Sequence, residues 1–367
     1  MEQKIKILFF LNTSFIGGAE NNVLDLAAFM DSERYEPCIA ALEPGGPLLQ
    51  YAQQKNIKTF DPKLSYYFFP GYLFRITRFL IKQKFDIIFL FGLKLRLILL
   101  PLSCLIRVPV RIAAIVGIDA WKNNIHLSIE RILSKFTSFW VANSYVAKKR
   151  AINQERLPTK RVFVIYQGLV LTNGKTKNGS NIRYKRSSKF KIAVLANIQP
   201  GKGHSFFIEA IYPLLQDNDD IEIEFIGKDY SNGKIEAEIA NFGLQDVIKL
   251  TGYLVNARNY ISKFDLMILP SFAESFPTSI IESMLEKIPV ISTKVGGIPE
   301  LIKHGKTGWL ISPGNEEELR SAILFLKDNP SKRLELAENA YNYANQRFDI
   351  KLVAKKYELL FEKFLDI

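Results

Sequence analysis

Short apolar runs of strand length alternate with longer amphipathic stretches along almost the whole chain. Ile5–Leu11 and Ile87–Phe91 are uninterrupted apolar runs, which are typical of buried strands. Asn21–Met30 and Gly71–Gln83 have apolar residues at helical spacing. Strands that alternate with helices predict parallel β-α-β units under helical cover. The sequence therefore predicts an α/β fold.

The alternation stops once, between Thr172 and Lys189, and then resumes. This interval is rich in Gly, Asn, Ser and Lys and has no apolar periodicity, which is typical of a linker or a long loop. We predict an N-terminal domain over 1–172, a linker over 173–189 and a C-terminal domain over 190–348. A C-terminal helix over 349–367 is expected to pack back towards the first domain. Each domain should be a doubly wound sheet that binds ligands at the carboxyl ends of its strands.

Eleven strands are predicted in the two domains. Those of the first are Ile5–Leu11, Cys38–Leu42, Ile87–Phe91, Arg111–Val116, Phe139–Asn143 and Val162–Tyr166. Those of the second are Lys191–Ala196, Ile221–Ile226, Val247–Leu250, Leu266–Leu269 and Val290–Ser292.

The net charge of +12 is unevenly distributed. Residues 1–190 contain 29 Lys and Arg against 12 Asp and Glu, whereas the remainder contains 20 against 25. A basic half favours contact with an anionic surface, and an anionic bilayer is one candidate. A solvated basic face without a partner is the alternative. No nucleic-acid recognition module is visible, so we expect no nucleic-acid partner.

An aromatic cluster lies close to Arg75 and Arg78 in the first half of the chain. Its members are Tyr66, Tyr67, Phe68, Phe69 and Tyr72. Aromatic and basic side chains together are suited to a membrane interface. Packing in the core or in a loop explains the same residues equally well.

The apolar stretch Ile87–Gly117 is too broken to predict a transmembrane helix. Its longest uncharged run, Leu97–Ile106, is about half of the ~20 residues that a span needs. No secretory signal is visible, and two distant cysteines, Cys38 and Cys104, fit a reducing compartment. We expect a cytoplasmic protein, with a peripheral position at the inner face of the plasma membrane as one alternative.

A glycine-containing turn follows the first strand of each domain. Gly17 and Gly18 lie between the opening strand and a helix, where backbone amides and a helix N-terminus favour an anion. Lys202, beside Gly203, occupies the corresponding turn of the second domain and adds a mobile positive charge that suits a phosphate. A tight turn without a ligand explains the first sequence about as well, and a solvated loop lysine explains the second.

An acidic pair, Glu274 and Glu282, spans a strand–turn–helix junction. Glu274 follows the strand Leu266–Leu269, and Glu282 lies about one turn inside a helix that begins near Thr278, after Pro277. Amides at the start of this helix would face an anion between the two carboxylates. The junction therefore predicts a ligand site.

No metal site is predicted. The triplet Asp217-Asn218-Asp219 lies where a polar loop between a helix and a strand is expected anyway, and the three histidines lack ligand spacing. Gly305-Lys306-Thr307 is similar to the end of a phosphate-binding P-loop, but Glu300 occupies the position where that motif requires glycine.

Four stretches, in this order and at these separations, resemble glycosyltransferase family 4. They are the GGAE turn at 17–20, the Lys202–Gly203 turn, the Glu274–Glu282 segment and the GGIPE run at 296–300. The resemblance covers the whole chain and implies a GT-B fold, with two doubly wound Rossmann-like domains facing across a cleft. It is greatest for bacterial enzymes that assemble capsule, O-antigen or other exopolysaccharide.

The resemblance implies a retaining, metal-independent hexosyltransferase without a cofactor. Its donor would be a nucleotide sugar, with a UDP-sugar favoured, and its acceptor a saccharide or lipid-linked saccharide in polysaccharide biosynthesis. Lys202 would neutralise the donor diphosphate, Glu274 would contact the donor sugar at the reacting centre, and Glu282 would hold the ribose hydroxyls. The other implied donor-side residues are Gly17 and Gly18 at the diphosphate, Gly252 and Tyr253 near the base, and Phe276, Pro277, Thr278 and Ser279, whose amides would reach sugar and phosphate.

Two positions depart from the family pattern. Asn197 stands on the donor side where the family usually has an arginine, and Gly117 stands where it often has a histidine. Asp119 is a candidate for the lost acceptor contact. Two alternatives therefore stay open: a catalytically inactive scaffold or binding subunit, and a nucleotide-sugar epimerase of the same fold.

Overall fold

The computed structural model describes residues 3–43, 45–62, 69–117, 122–171, 189–254 and 257–367. The chain divides into two compact units: Met1–Val170 with Phe348–Ile367, and Leu171–Arg347. Several predicted features lie outside the described residues, namely Asp119, the aromatic residues Tyr66, Tyr67 and Phe68, and the linker up to residue 188.

The first unit contains a seven-stranded parallel sheet with the order β3-β2-β1-β4-β5-β6-β7. Its strands are β1 (Ile5–Thr13), β2 (Tyr35–Glu43), β3 (Lys58–Phe60), β4 (Ile87–Phe91), β5 (Val110–Ile115), β6 (Phe139–Ala142) and β7 (Val162–Val164). Its helices are α1 (Gly18–Phe29), α2 (Leu48–Gln54), α3 (Phe69–Gln83), α4 (Leu93–Leu105), α5 (Asn124–Leu133) and α6 (Tyr145–Gln154). The strand order reverses between β1 and β4, which is the switch point where such sheets bind ligands.

Alternate residues of the central strands supply two separate cores. Ile7 and Phe9 of β1 pack in a core with α1 and α2, whereas Leu8 and Phe10 pack on the other face of the sheet with α3 and α4. All four side chains are fully buried. Because side chains alternate along a strand, this sheet separates one helical layer from another.

The second unit contains a six-stranded sheet with the order β10-β9-β8-β11-β12-β13. Its strands are β8 (Phe190–Leu195), β9 (Ile221–Ile226), β10 (Ile248–Gly252), β11 (Leu266–Leu269), β12 (Val290–Thr293) and β13 (Trp309–Ile311). Its helices are α7 (His204–Gln216), α8 (Lys234–Asn241), α9 (Ala257–Ile261), α10 (Thr278–Leu285), α11 (Ile298–Leu301), α12 (Glu316–Asp328) and α13 (Pro330–Arg347). Here the strand order reverses between β8 and β11.

The last helix, α14 (Ile350–Leu365), belongs to the first unit although it follows the second in the chain. The Asp349 side chain caps it by accepting a hydrogen bond from Lys351 N. Leu169 N donates to Phe348 O at 2.8 Å and Ile350 N donates to Leu169 O at 3.0 Å, which fixes the start of the helix beside the end of the first unit. The buried face of α14 then joins the core that contains α1.

The predicted α/β class and the two Rossmann-like sheets are confirmed. Strands β3 and β13 were not predicted, since each has only three residues and pairs at a sheet edge. The apolar stretch Ile87–Gly117 forms β4, α4 and β5. Within the described residues, no helix is both long enough and apolar enough to span a bilayer.

Candidate functional site

A lysine and a glutamate form an ion pair after neighbouring strands of the second sheet. Lys202 lies in the turn after β8, and Glu274 lies in the loop after β11. Lys202 Nζ donates to Glu274 Oε1 at 2.6 Å, and the two side chains are 22% and 8% exposed. Since β8 and β11 flank the switch point of the sheet, this pair lies where a doubly wound sheet binds its ligand.

Glycines hold the Lys202 turn against the Glu274 loop. Gly201 and Gly203 have φ of +86° and +78°, a region that favours glycine. Gly201 O accepts a hydrogen bond from Phe272 N at 2.8 Å. A Cβ on Gly203 would lie 2.0 Å from Pro270 O, so no larger residue fits there without displacing the loop. This close approach brings Lys202 within reach of Glu274.

The carboxylate of Glu274 is oriented by a buried serine that was not predicted from the sequence. Ser271 Oγ donates to Glu274 Oε1 at 2.9 Å. Thr293, at the end of β12, donates through Oγ1 to Ser271 O, and Gly297 N donates to Glu274 O at 3.1 Å. Gly297 of the GGIPE run therefore supports the loop that carries Glu274. Only the polar residue type of Ser271, directly after a buried strand, could have indicated this role.

Glu282 lies in a different electrostatic setting from Glu274. It is half-buried on α10, and burial raises the pKa of its carboxyl group. The positive charge of Arg258 and a hydrogen bond from the Thr278 hydroxyl act in the opposite direction on this pKa. Arg258 also donates through Nε to Glu286 Oε1 at 2.6 Å. Arg258 was missed from the sequence because nothing in its local pattern indicates its proximity to α10.

The start of α10 presents backbone amides that lack a side-chain cap. The helix begins at Thr278, directly after Pro277, and within the described chain no side chain caps its N-terminus. The first amides of a helix have no intrahelical partner, so those of Thr278 and Ser279 are suited to an anion. Phe276, which precedes them, is buried and anchors the loop.

The remaining donor-side candidates lie at the carboxyl ends of β8, β9 and β10. Asn197 Oδ1 accepts a hydrogen bond from Lys228 N at 3.0 Å, so this side chain joins the loops after β8 and β9. Gly252, with φ of +76°, ends β10 and accepts from Gly227 N at 2.9 Å. Tyr253 follows it and is 52% exposed.

Lys228 is a basic residue at this edge that was not predicted from the sequence. Its Nζ lies 5.0 Å from the centroid of the Tyr230 ring. Because Asn197 holds the backbone of Lys228, the position that lacks the family arginine lies beside another cation.

Gly17 and Gly18 lie in the first unit, after β1 and at its switch point. Gly17 is the N-cap residue of α1, and its N donates to Glu20 Oε2 at 3.1 Å. Burial raises the pKa of the Glu20 carboxyl group. The GGAE sequence thus caps its own helix, whatever ligand it binds. Gly117, where the family often has a histidine, follows β5.

No cluster of three or more His, Cys, Asp or Glu side chains suited to a metal ion occurs among the described residues. His204, directly after the Lys202 turn, is 3% exposed, and neither of its ring nitrogens has a hydrogen-bond partner in the described part of the chain. Burial lowers its pKa to about 4, with the positive charge of Lys202 acting in the same direction.

Two doubly wound parallel sheets, each with a glycine turn at its switch point, place the chain in the GT-B class. The family model described as Glycosyltransferase Family 4 matches residues 16–172, and the model described as Glycosyl transferases group 1 matches residues 178–343. The two matches together cover most of the chain and follow one another in order. The chain belongs to the family 4 type of GT-B glycosyltransferases.

Curated relatives match parts of the chain. A probable sucrose-phosphate synthase of Thermosipho melanesiensis is 30% identical over 265 residues, which are 67% of this chain and 59% of that protein. The amylovoran biosynthesis glycosyltransferase AmsK of Erwinia amylovora is 31% identical over 144 residues, which are 37% of this chain and 35% of that protein. The chain thus matches between about a third and three fifths of the length of these two relatives.

Solved structures match nearly the whole chain. Anabaena HepE in complex with UDP has a TM-score of 0.84 and 23% identity, with 98% of this chain and 100% of that chain covered. A glycosyltransferase from Rickettsia africae has a TM-score of 0.86 and 20% identity, with 99% of each chain covered. At these identities the likeness establishes the fold.

Proposed function

We propose that this chain is a retaining, metal-independent glycosyltransferase that moves a hexose from a UDP-sugar to a saccharide or lipid-linked saccharide acceptor in polysaccharide biosynthesis. The observation that carries this proposal is the Lys202–Glu274 ion pair at the switch point of the second sheet. Similarity to HepE, which was solved with UDP and with UDP-glucose, supports the choice of donor.

The ion pair is suited to a site that exchanges one anion for another. Without donor, the Glu274 carboxylate neutralises Lys202 at 2.6 Å. A bound diphosphate would take over the lysine, with the amides of Thr278 and Ser279 as further donors. Glu274, still held by Ser271, would then accept hydrogen bonds from hydroxyls of the donor sugar. Such fixed donors lower a barrier because they need no reorganisation when charge develops.

In the proposed reaction, the bond between the anomeric carbon and the diphosphate oxygen breaks and the acceptor oxygen bonds to the same face of the sugar. The departing diphosphate gains negative charge, which Lys202 and the α10 amides stabilise. It also accepts the proton of the acceptor hydroxyl. The sugar carbon gains positive charge in the transition state, which the Glu274 carboxylate stabilises without a covalent bond. Each of these residues would act through its charge and its position, and the proposed reaction involves neither electron transfer nor a metal ion.

Glu282 and the loops after β8 to β10 would select the nucleotide. An ionised Glu282 would accept hydrogen bonds from the ribose hydroxyls, and Gly252 and Tyr253 would lie beside the base. Asn197 would act by positioning the loop of Lys228, whose side chain adds positive charge at the edge. In the first unit, the amides of Gly17 and Gly18 at the start of α1 are suited to an anion.

A panel of nucleoside diphosphates and nucleotide sugars in a thermal-shift assay tests donor binding. A ligand present at 100 times its dissociation constant adds about 2.7 kcal/mol of stability, and we expect UDP and a UDP-sugar to do so. Turnover of the stabilising donor is then followed with a saccharide acceptor, and NMR of the product assigns the anomeric configuration. An inverted product would refute the retaining mechanism.

Matched variants separate a catalytic pair from an ordinary ion pair. Lys202→Met and Glu274→Gln should each reduce turnover by about a hundredfold or more. The Lys287–Glu338 pair of the same unit, at 2.7 Å and half exposed on both sides, supplies the controls Lys287→Met and Glu338→Gln. Unchanged turnover in Glu274→Gln would refute the role assigned to Glu274, whereas donor binding without turnover in the wild-type chain would favour an inactive scaffold. Product that forms without any acceptor and differs from the donor only in sugar configuration would favour an epimerase.

A further inference from the structure

The helices α3, α4 and α5 of the first unit cover the same face of its sheet. Ile76 and Leu80 of α3, Leu99 of α4 and Leu133 of α5 belong to one buried core with Leu8 of β1. Since all three helices pack inward against this core, their opposite faces form a common outer layer. We call this layer the α3–α5 face.

Six large apolar side chains are exposed on the α3–α5 face. They are Phe74 and Ile81 on α3 (65% and 56% exposed), Leu97 and Leu105 on α4 (43% and 79%), and Ile125 and Ile132 on α5 (68% and 59%). On each helix the two residues are seven or eight positions apart, which is two turns, so both lie on one side. Single exposed apolar residues are normal in proteins, but a repeated pair on three helices that pack on one core indicates an interaction surface.

The charges on these helices have almost one sign. The segments α3, α4 and α5 contain six Lys and Arg residues and a single acid, Glu130. Glu130 is 2% exposed and pairs with Arg96 and Lys122, so it contributes no surface charge. Arg78 and Lys82 lie exposed beside Phe74 and Ile81, and neither forms an ion pair with any described residue.

We propose that the α3–α5 face docks on an anionic phospholipid bilayer. Interleaved basic and large apolar side chains match the headgroup and acyl regions of such a surface. Nucleic acid would use the cations but not the exposed Ile and Leu side chains. A second copy of the same face would bring like charges together, which disfavours self-association. The docking surface belongs to the first unit, and the proposal stands whether or not the second unit transfers a sugar.

Vesicle flotation tests the proposal with the full chain. The vesicles contain phosphatidylcholine alone or with about one third phosphatidylglycerol, at low salt and at about 1 M salt, where the screening length falls to about 3 Å. We expect co-flotation with the anionic vesicles at low salt, much less with neutral vesicles, and weaker binding at high salt. A chain that stays in the soluble fraction with anionic vesicles at low salt, or floats equally with both vesicle types, overturns the proposal.

Two double variants locate the surface. Each Lys or Arg near an anionic bilayer contributes about fivefold to the partition coefficient, so Arg78→Gln with Lys82→Gln should weaken anionic-vesicle binding about 25-fold. Phe74→Ser with Ile81→Ser should weaken it at least tenfold, since two apolar side chains no longer insert.

Matched controls come from α14, which packs on the opposite face of the sheet. Leu352→Ser with Leu359→Ser removes apolar side chains that are 47% and 55% exposed, and Lys351→Gln with Lys356→Gln removes two exposed charges. Binding losses equal to those of the α3 variants would overturn the assignment to the α3–α5 face. The α3 variants should keep the thermal shift produced by UDP, which separates loss of docking from unfolding and from failure of the donor site. If the serine variant unfolds, the glutamine variant, with both changed side chains exposed, decides the question.

Discussion

Gly203 is the position where the donor site should tolerate change least. Its φ of +78° requires an alanine to adopt the left-handed region, at a cost of about 1–2 kcal/mol. The new Cβ would lie 2.0 Å from Pro270 O, and overpacking of this kind adds about 1–3 kcal/mol. We therefore expect Gly203→Ala to lower the free energy of unfolding by about 2–5 kcal/mol.

The same substitution should also impair the site itself. To reach a normal separation, the loop after β11 must shift by at least about 1 Å, and this loop carries Ser271 and Glu274. A displacement of about 1 Å at a reacting centre can cost about a hundredfold in rate. Turnover of Gly203→Ala should therefore fall about a hundredfold even at temperatures where the variant stays folded.

Gly201 supplies the control two positions away. Its φ is +86°, but a Cβ there would meet no atom within 4 Å. Gly201→Ala should thus lower the free energy of unfolding by only about 1–2 kcal/mol, the cost of placing an alanine in the left-handed region, and it should change turnover little. Urea unfolding followed by circular dichroism gives the stabilities, and donor turnover gives the rates. Equal losses in the two variants would refute the reasoning, because they would show that contact with Pro270 contributes nothing.

Three further predictions concern buried ionisable groups. Glu130→Gln should lower the free energy of unfolding, measured in urea, by about 3–5 kcal/mol, because Arg96 and Lys122 are almost fully buried and both lose this partner. Lowering the pH should weaken UDP binding through Glu282, whose pKa burial raises, and calorimetric titration of Glu282→Gln should show a flatter pH dependence. For His204, with a folded pKa of about 4, the unfolded imidazole takes up a proton near pH 6.5 while the folded one stays neutral. The free energy of unfolding should then fall by up to about 3 kcal/mol between pH 6.5 and 4, and much less so in His204→Phe.

Controls for these predictions lie in the same units. Glu36→Gln breaks a solvent-exposed pair with Lys58 and should cost less than about 1 kcal/mol. A Glu130→Gln effect as small as this would contradict the buried-charge argument. UDP affinity that falls on acidification equally in wild type and Glu282→Gln would assign the titration to another group. An unchanged acid dependence in His204→Phe would exclude His204 as its source.

The sequence alone determined the architecture and most of the candidate site. Buried strands such as Ile5–Leu11 can be predicted from the sequence, because both faces of a parallel sheet are covered and their residues must be apolar. Turn residues such as Lys202 and Glu274 follow such strands directly, so their position at the carboxyl edge follows from local pattern. Short edge strands such as Lys58–Phe60 cannot be predicted from local sequence, because this segment is a strand through its pairing with β2 and not through its composition.

Only the tertiary structure decided which of these residues meet. Lys202 and Glu274 are 72 positions apart, and their contact depends on the adjacency of β8 and β11, which no local pattern specifies. Ser271 lies only three positions from Glu274, but Thr293 reaches Ser271 because β12 pairs with β11, and Arg258 reaches α10 because α9 packs against that helix. The α3–α5 face likewise emerges only when three separate helices pack on one core, since exposure is a property of the packed chain. Local sequence fixes what each segment can form, whereas contacts between distant segments depend on the packing of the whole unit.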